Sequence, residues 1–204
     1  YADMINNAIL CEKPKSVNDN SKEKINEILI VPETAKKLNF PVMSHIKKVD
    51  WGQNCIVEDL GPSGFFSYYN LIEITIPKSV IAIPSKIFSN CNFLKVVQFE
   101  EDSKLTEIGE HSFSNTRIEK IDLPQTVQVI GKSAFSNIRE LKEVHFEGQN
   151  IEKEAFIGTG LVSFKLSNNT KYIGDNAFQY CRSLTQFVID IENSGLKEIG
   201  PRAF

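Results

Sequence analysis

The chain has 204 residues, of which 41% are hydrophobic and 24% are charged, a balance that is ordinary for a folded protein. Its 23 basic and 26 acidic residues give a net charge of −3, which is too small and too mixed to favour nucleic acid or an anionic membrane surface as a partner. No apolar run approaches the roughly 20 residues that a membrane-spanning helix needs.

The first residues of the chain do not resemble the rest of it. Residues 1–24 match no later segment, and we expect an N-terminal cap or flanking segment there. Residues 25–45 are predicted to form a degenerate first repeat unit, because Ile25, Ile28 and Ile30 are spaced like the apolar residues of the later strands. The predicted solenoid therefore covers residues 25–204.

From residue 46 the chain repeats one unit. Each unit opens with the pattern apolar-x-x-apolar-x-apolar, and the last three positions alternate as they do in a β-strand. A turn, a second apolar pair and a Phe follow. The predicted units start near residues 46, 71, 94, 118, 141, 161 and 184, and the last one is truncated.

The second half of the unit is best seen in IGKSAF at residues 130–135, which returns as IGEHSF at 108–113, IGDNAF at 173–178 and IGPRAF at 199–204. We expect the Phe to fill the core and the segment around it to form a short helical turn. The Gly is expected to hold a backbone angle that other residues resist. The repeat Phe residues are Phe65, Phe88, Phe113, Phe135, Phe156, Phe178 and Phe204.

One strand and one turn in a unit of about 20–29 residues is the range of leucine-rich repeats, and it predicts one elongated solenoid in which each unit contacts only its neighbours. IEKIDLPQTVQVIGKSAF (residues 118–135) carries nearly every position of L-x-x-I-x-I-P-x-x-V-x-x-I-G-x-x-A-F-x-x-C. With this motif the chain resembles the BspA-like, or Treponema pallidum-type, leucine-rich-repeat proteins over residues 46–204. Pro84 in the place of the Gly and a shortened unit at residues 141–160 depart from the pattern.

The resemblance implies an α/β-type solenoid. It would be a right-handed leucine-rich-repeat array with a concave parallel β-sheet and short helical or irregular turns on the other side. The family is associated with surface proteins of bacteria and parasitic protists that adhere to host cells or matrix proteins and are displayed as antigens. It is not an enzyme family, so the resemblance carries over no catalytic residue.

The third and fifth residues of each unit should point away from the core, and stacked strands would place them in two columns with steps of about 4.8 Å. The third-position column contains Glu27, Lys48, Glu73, Val96, Lys120, Glu143, Ser163 and Gln186. The fifth-position column contains Leu29, Asp50, Thr75, Gln98, Asp122, His145, Lys165 and Val188.

Opposite charges nearly alternate along these columns, and two interpretations stay open. One is that the charges solvate the sheet and keep its register. The other is a polar protein-binding surface. Its candidate partner-binding residues are Lys120, Asp122, Glu143, His145, Ser163 and Lys165.

Two cysteines and a group of three aromatic residues are candidate core or contact residues. Cys91 and Cys181 each follow a repeat Phe by three residues, and we expect both in the core because Cys is usually buried. Phe66, Tyr68 and Tyr69 have no role imposed by the repeat. They either pack over the side opposite the sheet or contact a partner.

No reaction chemistry is predicted. The three histidines fall in different units, and no Ser or Cys nucleophile falls beside Asp122 and His145 in either column. We therefore expect no catalytic, cofactor-binding or metal site and no enzymatic activity.

The predicted function is a non-catalytic protein-recognition module at the cell surface or secreted, an adhesin or antigen that binds a host or matrix protein or glycoprotein through the concave sheet. The alternative is an intracellular, cytoplasmic scaffold subunit in a larger assembly, since four unpaired cysteines fit a reducing compartment.

A glycosylation acceptor at Asn168 would be exposed if the chain were secreted by a eukaryote. Phe204 has no polar cap after it, so the chain either continues, which we favour, or makes an end-to-end contact with another chain.

Overall fold

The computed structural model describes residues 28–31, 33–38, 45–52, 54–61, 65 and 67–204. In this part the chain winds as a parallel β-solenoid. Each complete coil contains one strand of three or four residues, which we call a long strand, then one strand of two residues, which we call a short strand, and then a run of turns. The predicted cap at residues 1–24 lies outside the described residues.

The strands follow one another in a fixed order along the chain. The long strands are β1 (Ile28–Ile30), β2 (Lys48–Asp50), β3 (Glu73–Ile76), β5 (Val96–Phe99), β7 (Lys120–Asp122), β9 (Glu143–His145), β11 (Ser163–Lys165) and β13 (Gln186–Val188). The short strands are β4 (Ala82–Ile83), β6 (Glu107–Ile108), β8 (Val129–Ile130), β10 (Asn150–Ile151), β12 (Tyr172–Ile173) and β14 (Glu198–Ile199).

The two kinds of strand form sheets of different extent. The short strands make one six-stranded parallel sheet in the order β14-β12-β10-β8-β6-β4. The long strands, which we expected to make one continuous parallel sheet, pair instead into four two-stranded parallel sheets, β1-β2, β3-β5, β7-β9 and β11-β13. Successive pairs are joined just before the strands, for example by Arg117 N–H, which donates to Leu94 O over 2.9 Å.

The third side of each coil is a run of turns, and the described residues contain no helix. The expected helical turn around the repeat Phe is therefore wrong. Residues two before and two after that Phe have positive φ, which interrupts a right-handed helix. Those two before the Phe are Lys86, His111, Ser133, Glu154, Asn176 and Arg202, and those two after it are Ser67, Asn90, Asn115, Asn137, Gly158 and Tyr180.

Because positive and negative φ values alternate around the repeat Phe, the backbone amides there point toward the next coil instead of along a helix axis. Between one pair of coils the bonds join His111 N to Lys132 O, Phe113 N to Ala134 O, and Asn115 N to Ser136 O, over 2.9–3.1 Å. The turns of neighbouring coils are thus connected by a hydrogen-bond ladder of their own, which satisfies the buried backbone groups that a helix would have satisfied internally.

The repeat Gly also has a different role from the one expected. Gly109, Gly131, Gly174 and Gly200 do not have positive φ. A Cβ atom at Gly131 would instead lie 2.7 Å from Ile108 O of the preceding coil. The Gly is needed because two backbones approach closely there, not because its own backbone angle is unusual.

The repeat Phe residues from Phe65 to Phe178 fill the core, as predicted, and the structure shows that the repeat Phe rings form a continuous stack. Consecutive rings from Phe65 to Phe204 lie 5.2–5.6 Å apart between centroids. Phe65 to Phe178 are buried, whereas Phe204 is 56% exposed and stacks on Phe178. Each coil therefore contributes one ring to a core that runs the length of the solenoid.

The first strand is shifted by one residue from its prediction. In β1, Leu29 is buried and pairs with Val49, whereas Ile28 and Ile30 are exposed. Leu29 thus does not belong to the outward column, and Glu27 lies outside the described residues. A strand has a period of two, so a slip of one residue exchanges its inner and outer faces.

Candidate functional site

The outward side chains of the eight long strands form one surface, which we call the long-strand face. Alternation along each strand creates it. In β7, Lys120 and Asp122 are exposed while Ile121 between them is 1% exposed and fills the core. The corresponding inward position is occupied by Val144 in β9 and by Phe164 in β11. Packing of the core determines which positions face outward, but it does not constrain which residue types occupy them.

All six predicted partner-binding residues lie on this face and are exposed. Lys120 and Asp122 are in β7, Glu143 and His145 in β9, and Ser163 and Lys165 in β11. The strand register places Lys120 opposite Glu143 and Asp122 opposite His145. Ser163 and Lys165 belong to the next strand pair, where they lie opposite Gln186 and Val188 of β13.

Lys120 is the centre of the charge arrangement on this face. Its Nζ lies 3.3 Å from Glu143 Oε1 and 3.6 Å from Asp122 Oδ1. The hydrogen bond with Glu143, helped by the negative charge of Asp122, raises the pKa of the Lys120 ammonium above its ordinary value. A second ion pair between neighbouring coils, Lys48 with Glu73, repeats the arrangement nearer the N-terminus.

His145 is oriented by a residue that the strand pattern did not include. Its Nε2 lies 3.5 Å from Glu147 Oε1, in the turn that follows β9. Glu147 also accepts a hydrogen bond of 2.6 Å from the Ser167 hydroxyl in the next coil. Asp122 lies opposite His145 in the strand register, but the ring nitrogen Nε2 contacts the carboxylate of Glu147.

Two hollows flank the predicted residues where the long strands end. The larger one, with a volume of about 650 Å³, includes Lys120 and Asp122 with the acidic turn residues Glu100, Glu101 and Asp102. The smaller one, of about 220 Å³, is lined by His145, Glu147, Lys165, Ser167, Asn168 and Asn169. Four of the six predicted residues therefore line two depressions of one face, Lys120 and Asp122 the larger and His145 and Lys165 the smaller.

The turn residues of these hollows were missed because the strand pattern does not extend to them. A signal was present for one of the turns. The step from Phe88 to Phe113 is 25 residues against 22 for the following step, and the extra residues fall where EEDSK occurs (residues 100–104). Asn168 also lines the smaller hollow, and its amide lies 3.4 Å from Asp190 Oδ2.

The aromatic residues near the first units are mostly structural. Trp51 and Phe65 are buried, and for Phe65 this was expected from its place in the repeat. Tyr68 is fully buried and meets the Phe65 ring edge-on at 5.3 Å, so of its two interpretations packing is correct. Tyr69 is 47% exposed, and Phe66 lies outside the described residues.

The cysteine environments fit a structural role. The buried Cys91 thiol donates to Phe65 O over 3.1 Å, and burial raises its pKa to about 12. Cys181 is partly buried and donates to Phe156 O over the same distance. The prediction of a core position is confirmed for Cys91, and Cys181 packs against the core from a half-buried position.

The described part of the chain contains no group of three or more His, Cys, Asp or Glu side chains arranged to hold a metal ion. It also contains no helix of the length and apolar character required to cross a bilayer. Around the six predicted residues the long-strand face offers ion pairing and hydrogen bonding. Elsewhere it also presents the exposed apolar side chains of Ile28, Ile30, Val96 and Val188.

Comparison with known sequences identifies a repeat family. The chain matches the family described as BspA type leucine rich repeat region (6 copies) over residues 58–185 and again over residues 149–204. A search among curated proteins gave no match.

Comparison with solved structures finds the same fold. The chain is similar to the pneumococcal vaccine antigen PcpA, at 25% identity and a TM-score of 0.62, over 82% of this chain and 46% of that chain. It is similar to a leucine rich repeat protein of T. pallidum, at 20% identity and a TM-score of 0.57, over 85% and 78% of the two chains. It is also similar to a leucine rich cell surface protein of Faecalibacterium prausnitzii, at 23% identity and a TM-score of 0.50, over 78% and 49%. The chain thus spans less than half the length of the pneumococcal antigen.

Proposed function

This chain belongs to the BspA-type leucine-rich repeat family, whose repeat is a protein-interaction module, and we propose that it binds a protein or glycoprotein ligand through the long-strand face. The residues that would carry binding are Lys120, Asp122, Glu143, His145, Ser163 and Lys165. The solenoid holds them on adjacent strands at a spacing set by the backbone, so that a partner would meet a preformed pattern of charges.

The observation that carries this proposal is the ion-pair arrangement around Lys120. Lys120 lies between Asp122 of its own strand and Glu143 of the next. Exposed ion pairs of this kind contribute little to folding stability, because water screens them and ordering the long side chains costs entropy. Complementary charges on a binding surface do influence partner choice and the rate of encounter. Recognition therefore accounts for the arrangement better than stability does.

We further infer that the chain acts at a cell surface or as a secreted protein, as an adhesin or antigen that contacts host or matrix protein. Support comes from the family and from the similar structures, one of which is a vaccine antigen and another a cell surface protein. Such a protein would be a non-catalytic binding scaffold.

An intracellular scaffold subunit is the second candidate, and the free thiols favour it. Cys55, Cys91 and Cys181 are unpaired in the described residues, and structural disulfides are typical of oxidising compartments. Labelling of intact cells with a membrane-impermeant reagent separates the two candidates, since only a surface protein is labelled before lysis.

Charge reversal of the long-strand face tests the proposal. The triple variant Lys120→Glu, Glu143→Lys and Lys165→Glu is expected to lose most of its binding to cultured host cells and to a coated mixture of extracellular-matrix proteins. The matched control is Lys132→Glu, Glu110→Lys and Lys171→Glu, which changes the net charge equally on the turn and short-strand sides. Equal binding by the two folded variants would remove the long-strand face as the site.

A further inference from the structure

A second polar groove lies away from the long-strand face, at the corner where the turns lead back into the long strands. It crosses three successive coils and has a volume of about 320 Å³. We call it the arginine groove. The lining residues that matter for its chemistry are Asn92, Phe93, Asn115, Arg117, Asn137 and Arg139.

The two arginines are not required by the fold. Arg117 and Arg139 each follow a repeat Phe by four residues and are exposed, and other coils have Tyr69 or Gly160 at the same place. Within the described ranges neither guanidinium has a carboxylate partner within 4.0 Å, although Glu140 lines the same groove. Adjacent coils are about 4.8 Å apart, so both guanidinium groups can reach one small anion.

Phe93 gives the groove an apolar wall. Its side chain is 49% exposed, which is unusual for Phe in this chain, because the described repeat Phe residues except Phe204 are buried. The guanidinium carbon of Arg117 lies 5.6 Å from the centroid of the Phe93 ring. This cation–π contact restrains Arg117 and keeps its charge beside an apolar surface.

Amide side chains complete the lining. Asn115 and Asn137 have φ of 58° and 61°, a conformation that Asn tolerates better than most residues. The backbone therefore explains why Asn is present, and the stacking of coils brings the amides to the groove. Asn115 Nδ2 donates to Asn90 Oδ1 over 3.0 Å, and this bond does not use the acceptor capacity of the Asn115 side-chain oxygen Oδ1.

We propose that the arginine groove binds the carboxylate-bearing sugar units of an acidic glycan. Arg117 and Arg139 would pair with the carboxylate, the amides of Asn92, Asn115 and Asn137 would exchange hydrogen bonds with hydroxyl groups, and Phe93 would cover an apolar face of the sugar ring. Planar guanidinium and amide groups beside one aromatic ring supply all three kinds of contact within one open groove.

An acidic peptide fits the groove less well. Extended peptides gain affinity by pairing with free backbone groups at a strand edge. Here the neighbouring backbone amides are already used between coils, since Asn90 N donates to Ser114 O and Asn137 N donates to Ile157 O. The groove also offers only one exposed aromatic wall and no deep apolar pocket for a side-chain anchor. Its open hydrogen-bonding groups belong to side chains, as suits a ligand rich in hydroxyls.

The test is a titration monitored by amide NMR shifts. The probes are oligosaccharides of glucuronic acid and of galacturonic acid, their methyl esters, which lack the negative charge but keep the hydroxyls, and a hexaglutamate peptide. The variant is Arg117→Gln with Arg139→Gln. The control is Arg182→Gln, which changes the same repeat position outside the groove. Because all three arginines are exposed, the variants should unfold at the wild-type temperature.

We expect saturable binding of at least one uronate oligosaccharide, with shifts at Asn115 and Asn137. Loss of a charge-assisted pair should weaken binding about tenfold or more, both for the methyl ester and for the double variant. Arg182→Gln should bind like wild type. The proposal is overturned if no uronate probe binds, if the ester binds equally well, or if hexaglutamate binds as tightly as the sugars. Because charge reversal of the long-strand face leaves this groove intact, failure of one proposal is distinguishable from failure of the other.

Discussion

The rings of Phe113 and Phe135 lie 5.4 Å apart between centroids and are inclined by only 6°. Phe135 is stacked in the same way on Phe156, at 5.5 Å and 5°. Each interior ring of the column thus packs against the rings of both neighbouring coils, so the stack couples units that have no separate cores.

Removal of one interior ring should therefore destabilise the solenoid strongly. Phe135→Ala is expected to lower the free energy of unfolding by about 3–5 kcal/mol, because a fully buried aromatic side chain is replaced by a cavity. Chemical denaturation measures the change. Phe93→Ala removes an exposed ring and is the control. Comparable losses for the two variants would contradict the stacked core.

The close approach of coils at the repeat Gly gives a second prediction. Gly131→Ala places a Cβ atom 2.7 Å from Ile108 O and should cost about 1–3 kcal/mol, the range for overpacking. Glu152 holds the corresponding place in the next coil, so neighbouring coils can adjust to a side chain there at some cost. Lys132→Ala, which alters the adjacent exposed residue, should change stability much less. An unchanged free energy of unfolding for Gly131→Ala would show that the backbones of the two coils leave room for a side chain at this position.

The positive φ of residues two before the repeat Phe gives a third prediction. Lys86 has φ of 61°, a conformation that costs an L-residue roughly 1–2 kcal/mol and costs Gly nothing. Lys86→Gly should raise the midpoint of thermal unfolding, and Lys86→Val should lower it. Lys104→Gly, at a position without positive φ, should be destabilising. If Lys86→Gly also lowers the midpoint, the alternating turn geometry is wrong.

The buried thiol gives a pH dependence. Burial raises the pKa of Cys91 from 9.0 to about 12, so in this window the folded chain keeps a proton that the unfolded chain loses. Stability should therefore be unaffected by this group below pH 9 and fall by about 1.4 kcal/mol per pH unit above it. Comparison with Cys91→Ala isolates the contribution of the thiol. Between pH 9 and 11 the free energy of unfolding of this variant should fall less steeply with pH than that of the wild type. Equal slopes would mean that the Cys91 thiolate is accessible to water.

The core of this protein could be predicted from sequence because its chemistry is periodic. The repeat Phe and the inward residues of the long strands recur at intervals that a buried stack requires, and their burial follows from apolar character alone. The exposure of Lys120, Asp122 and their neighbours follows by elimination. The same pattern failed at β1, where Ile28, Leu29 and Ile30 are all apolar and the alternation gives no register.

The turns could not be predicted in the same way. A Gly at position 131 indicates a constraint on the backbone. The residue type alone does not show whether the constraint is an unusual φ or a lack of space for a side chain. Lys86 and Glu154 have positive φ although Lys and Glu seldom adopt it, so a helical turn was the expectation from residue type. Glu100 and Ser167, which line the two hollows beside the long-strand face, lie in turns of variable length, so no period of the repeat predicts their positions.

The most direct test of the recognition surface is site-specific photocrosslinking. A photoreactive amino acid at His145, on the long-strand face, should crosslink to a host-cell or matrix protein when the purified chain is incubated with either preparation. The same amino acid at Lys171, which precedes β12 in the six-stranded sheet, is the matched control. We predict crosslinked partner at position 145 and little at position 171. Crosslinking at position 171 with none at position 145 would contradict the proposal that ligand binds the long-strand face.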